Sequence, residues 1–175
     1  MAVASGQMGI HSGEKDLVLG LDPGRDKTGF AIVSLNGDFI AAGIFPTVER
    51  DKFFDFDAEN FSFSEWLTEG LSTKVGGFRV GGFRFTFIGN GTGSEEFFAY
   101  VKNKVKSCEI ILVDERNTTL EARRLYWKIH KPGIFTRLLP EGLRVPDRPL
   151  DDLAALALTL RGLGGLQKEN DAQFS

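Results

Sequence analysis

The sequence predicts an α/β fold in which a mixed sheet of five strands is flanked by helices. Residues 16–45 contain three short aliphatic runs separated by turn residues, which is typical of an antiparallel meander. From residue 84 onward, strand-like and helix-like segments alternate, as they do where crossover helices join parallel strands. Three antiparallel strands followed by parallel strands are therefore expected.

The predicted meander consists of strands at 16–21, 29–35 and 39–45. Between the last two, Asn36-Gly37 favours a two-residue hairpin turn, because both residue types tolerate a positive φ. The first strand should lie inside the sheet, since the meander extends to one side of it and the later strands to the other.

The second half of the chain supplies the remaining elements. Thr118 and Glu121 have the spacing of a capping box, in which a threonine side chain caps the start of a helix. Pro149 suits the first position of the last helix. Strands are predicted at 84–88 and 109–113, and helices from Ser94, from Thr118 to Ile129 and from Pro149 to Leu160.

Residues 46–82 are predicted to be an insertion, rich in phenylalanine and glycine, within one domain covering residues 16–163. A helix is predicted from Ser64 to Leu71. Residues 76–84 contain a near repeat of Gly-Gly-Phe-Arg. Its aromatic rings and arginines could stack on bases, whereas packing of an inserted loop is the simpler interpretation.

Composition excludes several classes of protein. With 42% hydrophobic residues, the chain is not broadly disordered. A net charge of -3 argues against non-specific coating of nucleic acid, although basic residues concentrate at 101–148 and acidic residues at 49–69. No apolar run approaches the roughly 20 residues needed to span a membrane, and no secretory signal is seen, so a cytoplasmic location without membrane contact is expected. Residues 1–15 and 164–175 are predicted to be a flexible N-terminal tail and a C-terminal tail.

Acidic residues end one predicted strand, follow another and begin the last helix. Asp22 ends the first strand, Glu115 follows a later strand and Asp151 opens the final helix. Each has an ordinary structural explanation, because Asp-Pro-Gly favours tight turns and acids stabilise the first turn of a helix. However, the neighbouring Asp152 exceeds what a cap needs, and the carboxyl ends of strands are where α/β folds bind ligands.

Together these carboxylates predict a metal site. Oxygen ligands from two strand ends and a helix start suit Mg²⁺ or Mn²⁺. Two such ions, with Asp22 as their shared ligand, would stabilise the attacking and leaving oxygens in phosphodiester cleavage. Zinc is disfavoured, because His11 and His130 have no partners at zinc-binding spacing and Cys108 is the only cysteine.

Three motifs resemble those of the YqgF/RuvX family. These RuvC-like proteins are regarded as Holliday junction resolvases or as nucleases that process the small-subunit rRNA precursor. The motifs occur in the family's order, and residues 119–127 are especially similar to cyanobacterial members. They read Leu-Gly-Leu-Asp-Pro-Gly-Arg-Asp-Lys-Thr-Gly-Phe-Ala at 19–31, Val-Asp-Glu-Arg-Asn-Thr-Thr-Leu-Glu-Ala at 113–122 and Asp-Asp-Leu-Ala-Ala at 151–155.

The resemblance implies a ribonuclease-H-like fold with Asp22 on the central strand. It also implies that Asp22, Glu115 and Asp151 are the catalytic and metal-binding acids, with Asp152 as a second choice because the motif varies there. RuvC-type resolvases place a further acid where residues 89–92 read Gly-Asn-Gly-Thr. A similar turn occurs in the YqgF-like domain of the transcription accessory protein Tex, which lacks the full acidic set. The three acids kept here favour an active enzyme.

The predicted function is therefore a divalent-metal-dependent endonuclease, a hydrolase that processes the 5′ end of pre-16S rRNA. A resolvase of branched DNA and a non-catalytic module that binds nucleic acid are the alternatives. An actin-like or sugar-kinase-like ATPase is disfavoured, because it needs two such domains. Basic residues predicted to hold substrate phosphates are Lys27, Arg116, Arg123 and Arg124.

Overall fold

A computed structural model describes residues 17–54, 66–72, 82–91, 93–106, 108–130, 133, 138, 140, 144 and 146–173. In these ranges a six-stranded mixed sheet is flanked by four α-helices, which confirms the predicted α/β class. The predicted number of five strands is wrong by one, because an additional strand lies at one edge of the sheet.

The elements follow in chain order. The strands are β1 (Leu17–Pro23), β2 (Lys27–Ser34), β3 (Phe39–Pro46), β4 (Leu67–Ser72), β5 (Phe85–Gly89) and β6 (Glu109–Val113). The helices are α1 (Arg50–Phe54), α2 (Ser94–Lys104), α3 (Thr118–Ile129) and α4 (Asp151–Gln173), and a 3₁₀ turn covers Thr47–Glu49.

Strand β1 lies inside the sheet, whose order is β4-β3-β2-β1-β5-β6. The neighbouring pairs from β4 to β1 are antiparallel, whereas β5 runs parallel to β1 and β6 runs parallel to β5. The predicted meander followed by parallel strands is thus confirmed. The carboxyl ends of β1, β5 and β6 consequently lie at the same edge of the sheet.

Both faces of the sheet are covered. Successive residues of a strand point to opposite faces, so Val18 packs with helices α3 and α4 while Leu19 packs with α1 and α2. Helix α4 approaches β1 closely at Gly20, where a Cβ atom would collide with the Thr159 side chain and lie 2.9 Å from the Ala155 carbonyl oxygen. This close approach determines where α4 begins relative to the end of β1.

The turn between β2 and β3 differs from the predicted two-residue hairpin. Among the described residues that are not glycine, only Asn117 has a positive φ, so Asn36 does not adopt the conformation that this turn requires. Instead, Gly37 has a φ of 86°, its N–H donates to the Ser34 carbonyl at 2.9 Å, and Ser34 N–H donates to the Asp38 carbonyl at 2.9 Å. This is a three-residue loop with glycine in its left-handed position.

The helix predicted from Ser64 to Leu71 is wrong over its described part. Residues 67–72 form β4, which pairs with β3, and the Ile44 N–H donates to the Trp66 carbonyl at 2.9 Å. Trp66 is buried against the Phe45 ring, with the two ring centroids 5.7 Å apart. The open edge of β3 and this aromatic contact favour a strand, and neither could be inferred from local sequence.

The three helices predicted after residue 84 agree with the structure in part. Helices α2 and α3 begin where they were predicted to begin. Helix α4 begins at Asp151 rather than Pro149 and continues beyond Leu160 to Gln173. Glycines disfavour the interior of a helix, but the missing side chain at Gly162 allows the Phe87 ring to pack against α4, since a Cβ there would lie 2.6 Å from that ring.

The predicted capping box is wrong. Asn117, rather than Thr118, is the N-cap of α3, and it makes no side-chain capping bond. The Thr118 hydroxyl donates instead to the Glu115 carbonyl at 2.7 Å, and the Glu121 carboxylate pairs with Arg161.

Several predictions fall outside the described residues. The N-terminal tail at 1–15 lies there entirely, as do most of the glycine-rich repeat at 76–84 and parts of the insertion at 46–82. None of the helices that the structure describes is long and apolar enough to cross a membrane.

Candidate active site

Asp22 lies near the end of β1, just before the turn between β1 and β2. Gly24 N–H donates to the Lys27 carbonyl at 2.9 Å, which closes the turn. Thr47 secures this turn from outside, because its N–H donates to the Asp26 carbonyl at 3.0 Å and its hydroxyl donates to the Gly24 carbonyl at 2.9 Å. The end of β1 is therefore held on both sides, as required for a strand end that presents a functional carboxylate.

Asp151 lies close to Asp22 because the neighbouring residue on β2, Gly29, has no side chain. Asp22 lies opposite Gly29 in the antiparallel pair of β1 and β2, so both residues face α4. A Cβ atom at Gly29 would collide with the Asp151 carbonyl group. The first turn of α4 thus rests directly on β2 beside Asp22, and buried Ala154 and Ala155 allow the helix to lie this close.

Glu115 approaches from the loop after β6. Its N–H donates to the Asn90 side-chain oxygen at 3.2 Å, and its carbonyl accepts the Thr118 N–H at 2.9 Å. A Cβ atom at Gly89 would lie 2.9 Å from Glu115 Oε2 and 3.6 Å from Asp22 Oδ1. The two carboxylates therefore converge on space that a glycine leaves open.

The three predicted acids line one cleft of about 710 Å³ at the carboxyl end of β1. Among the described residues, none donates a hydrogen bond to the carboxylates of Asp22, Glu115 and Asp151 or forms a salt bridge with them. Burial, and then repulsion from Glu115 and Asp151, raises the pKa of Asp22 from 3.8 to about 7. The cleft is thus a site of unbalanced negative charge.

The donor chemistry of this cleft suits a hard divalent cation, since carboxylate oxygens are the ligands that Mg²⁺ and Mn²⁺ prefer. Within the described part of the chain, however, no three His, Cys, Asp or Glu side chains form a ready-made metal centre. The negative charge of Asp22, Glu115 and Asp151 suits a cation. Their carboxylates would have to move closer together to bind one ion at the same time.

Asp152, the second-choice ligand, is not among the residues that line the cleft. It is fully buried and accepts hydrogen bonds from Thr68 at 2.6 Å, from Arg148 at 3.0 Å and from the Leu153 N–H at 2.8 Å. The second aspartate of the pair therefore fastens the start of α4 to β4.

The four predicted phosphate-binding residues also lie away from the cleft lining. Lys27 is exposed at the start of β2, and the exposed Arg116 side chain pairs with Asp114 at 2.8 Å. Arg123 is half-buried on α3, whereas Arg124 lines a second groove between α3 and α4.

Two other arginines, Arg25 and Arg50, line the cleft. Arg25 directly follows Gly24 in the first motif, so its position beside Asp22 could have been inferred from the sequence. Arg50 contacts Glu96 at 3.2 Å and the Tyr100 ring at 4.5 Å. Arg50 comes from the region predicted to be an insertion, and no local pattern there indicated its place.

The fold and site define an α/β protein with an acidic cleft at the carboxyl end of an interior strand. Neither a protein-family model nor a curated protein matches this chain. The function must therefore be inferred from the residues of the cleft and from the three sequence motifs.

Proposed function

We propose that the chain is a ribonuclease-H-like endonuclease of the YqgF/RuvX type that needs a divalent metal. The observation that carries this proposal is the convergence of Asp22, Glu115 and Asp151 in one cleft, where no described residue donates a hydrogen bond to their carboxylates. The sheet supports it as well. Without the edge strand β4, five strands remain in the arrangement that the sequence predicts for this fold.

Mg²⁺ or Mn²⁺ would be held by Asp22, Glu115 and Asp151. When bound, such ions stabilise developing negative charge on a phosphodiester and lower the pKa of a water molecule. The protein holds the acids of this site on different elements, with Asp22 ending a strand, Glu115 in a loop and Asp151 beginning a helix. Asp152 is left to a structural role, because Thr68 and Arg148 already contact its carboxylate.

The cleft also offers groups that suit a nucleic-acid backbone. Arg25 is exposed, and among the described residues no hydrogen bond or salt bridge engages its side chain. A guanidinium group can bind a phosphate through two hydrogen bonds. The exposed Thr119 lines the cleft too, and hydroxyl groups commonly contact phosphate oxygens.

Within this class, we propose processing of the 5′ end of pre-16S rRNA. The support for this substrate is the resemblance of the three motifs, in which Asp22, Glu115 and Asp151 occupy the acidic positions. A junction of branched DNA is the competing substrate for the same chemistry.

A non-catalytic nucleic-acid-binding module is the second candidate. One observation favours it, namely that the described residues contain no ready-made group of three metal ligands. The raised pKa of Asp22 favours the enzyme, because burying this carboxylate beside Glu115 and Asp151 disfavours its charged form, and a bound cation would offset that cost.

The deciding experiment offers purified protein and Mn²⁺ an rRNA precursor and a four-way DNA junction side by side. Cleavage of the precursor that is lost in Asp22→Asn is the expected result. The matched control is Asp38→Asn, which changes an exposed acid at the opposite end of β2. Cleavage of the junction alone would assign a resolvase, and tight binding without cleavage would assign the module. Unchanged cleavage by Asp22→Asn would overturn the proposed site.

A further inference from the structure

Arg161, on α4, contacts the loop that carries Glu115. Its Nη1 atom donates to the carbonyls of Asp114 and Arg116, the latter at 2.9 Å. These are the two residues on either side of Glu115. Its Nη2 atom donates to the Glu121 carboxylate at 2.7 Å. One guanidinium group thus joins α4, α3 and the loop between β6 and α3.

This loop, residues 114–117 and hereafter the Glu115 loop, has a conformation that needs support. Asn117 has a φ of 68°, and it is the only non-glycine residue in the described ranges with a left-handed backbone. Asparagine adopts the left-handed backbone conformation more readily than most residues, but this conformation still costs free energy relative to the right-handed one. The Arg161 bonds hold the Asp114 and Arg116 carbonyls, the second of which directly precedes Asn117, so they stabilise the loop just before α3 begins.

Asn90 and Thr118 also contact the Glu115 loop, but neither of them connects it to α4. Asn90 holds the Glu115 N–H, and Thr118 holds the Glu115 carbonyl. Both bonds involve Glu115 itself, and they come from the residue after β5 and from the start of α3. Arg161 alone among these contacts comes from α4, the helix that also begins with Asp151.

We propose that Arg161 is a positioning residue for Glu115. This proposal rests on the proposed function, because it takes Glu115 to be a ligand of the metal site. Because α4 packs directly on Gly20 and Gly29, its position relative to Asp22 is determined by the backbone. The Arg161 contacts extend that control to the Glu115 loop. One helix therefore sets the positions of both acids that flank Asp22, while Arg161 itself lies outside the cleft lining.

The test compares Arg161→Met, Arg161→Lys and two controls. Arg161→Met keeps the aliphatic stem without donors, and Arg161→Lys keeps a cation without the planar fork. Lys168→Met removes a cation from an exposed position of the same helix. Glu121→Gln removes the charge of the salt-bridge partner while leaving both carbonyl contacts of Arg161 in place.

The first measurement is hydrogen exchange at the Glu115 and Thr118 amides, which are both hydrogen-bonded in the structure. Arg161→Met should accelerate exchange at these amides by about tenfold or more, because the loop opens locally, while amides of β1 stay protected. Arg161→Lys should give an intermediate exchange rate. Lys168→Met and Glu121→Gln should leave the exchange rate of the wild type unchanged. This readout does not depend on activity.

The second measurement is Mn²⁺ affinity together with kcat and KM for the cleaved nucleic acid. Loss of a residue that orients a metal ligand typically weakens metal binding or activity by about 10–100-fold, and we expect this for Arg161→Met with KM little changed. Wild-type exchange and Mn²⁺ affinity in Arg161→Met would overturn the proposal. An equal loss in Glu121→Gln would also overturn it, since the salt bridge and not the loop contact would then matter. If the wild-type protein neither binds Mn²⁺ nor cleaves, the proposed function fails, whereas the exchange rates still decide whether Arg161 holds the loop.

Discussion

Gly29 and Asp151 approach so closely that no side chain fits between them. A Cβ atom at Gly29 would collide with the Asp151 carbonyl, and the Asp152 nitrogen would lie 2.9 Å from it. Since Gly29 pairs with Asp22 across the sheet, this contact brings the first turn of α4 next to the central acid of the cleft. The missing side chain is thus part of the site.

Gly29→Ala should displace the start of α4 and separate Asp151 from Asp22. Overpacking of this kind costs about 1–3 kcal/mol in the free energy of unfolding, which urea denaturation would measure. Cleavage by the folded variant should fall as well. Gly164→Ala is the matched control, because nothing lies within 4 Å of its added Cβ, and it should stabilise the helix by about 0.5–1 kcal/mol. Wild-type stability in Gly29→Ala would contradict this account of the contact.

Asp22 should make the metal-free protein less stable as the pH rises. Its pKa is raised from 3.8 to about 7, so between these values the folded state keeps a proton that the unfolded chain has lost. Stability therefore falls across this window as pH increases. Asp22→Asn should remove this dependence and stabilise the protein at pH 8 by on the order of 3 kcal/mol.

The measurement for Asp22 is urea denaturation of wild type and variant at several pH values from 4 to 8. The difference between the two proteins isolates the contribution of this group from all others that titrate. Asp38→Asn, at an exposed turn, should show no such difference from wild type. Parallel stability curves for wild type and Asp22→Asn would show that the carboxylate is not destabilised in the folded state.

Asp152 should behave as a structural residue and not as a metal ligand. Asp152→Ala leaves Arg148 without its partner in a largely buried setting, which should cost about 3 kcal/mol of stability. The double variant Asp152→Leu with Arg148→Met should lose less, because no uncompensated charge remains. Asp152→Asn, where it folds, should bind Mn²⁺ as wild type does. Loss of Mn²⁺ binding with an intact fold would restore Asp152 to the metal site.

Arg25 should contribute to binding of the nucleic-acid backbone. Arg25→Met is expected to weaken binding of every tested sequence to a similar extent and to reduce the slope of log affinity against log salt by about one, as for loss of one phosphate contact. Arg123→Met is the comparison, because Arg123 is half-buried on α3 and does not line the cleft. A larger effect of Arg123→Met would place the phosphates on α3 and away from the cleft.

The acids of the candidate site could be predicted, whereas the position of Arg50, one of its two arginines, could not. Asp22 ends a strand, Glu115 follows a strand and Asp151 begins a helix, and the ends of parallel strands lie at one edge of the sheet. Arg50 lies in the cleft only because the segment after β3 folds back, so its Glu96 and Tyr100 partners come from α2. The sequence between Arg50 and Glu96 contains no periodic pattern that could indicate this contact.

Local patterns were thus sufficient where a residue's role depends on its own element. The aliphatic runs of β1, β2 and β3, the starts of α2 and α3 and the three acids are of this kind, because strand alternation and helix starts are properties of neighbouring residues.

The tertiary structure decided everything that depends on distant surfaces. Strand β4 forms because β3 offers an open edge, and α4 continues past its glycines because Phe87 packs where a side chain is missing. Asp151 and Asp152 carry identical side chains, yet one lines the cleft while the other is buried against Arg148. Their directions follow from the close approach of α4 to Gly20 and Gly29, which only the packed sheet and helix determine.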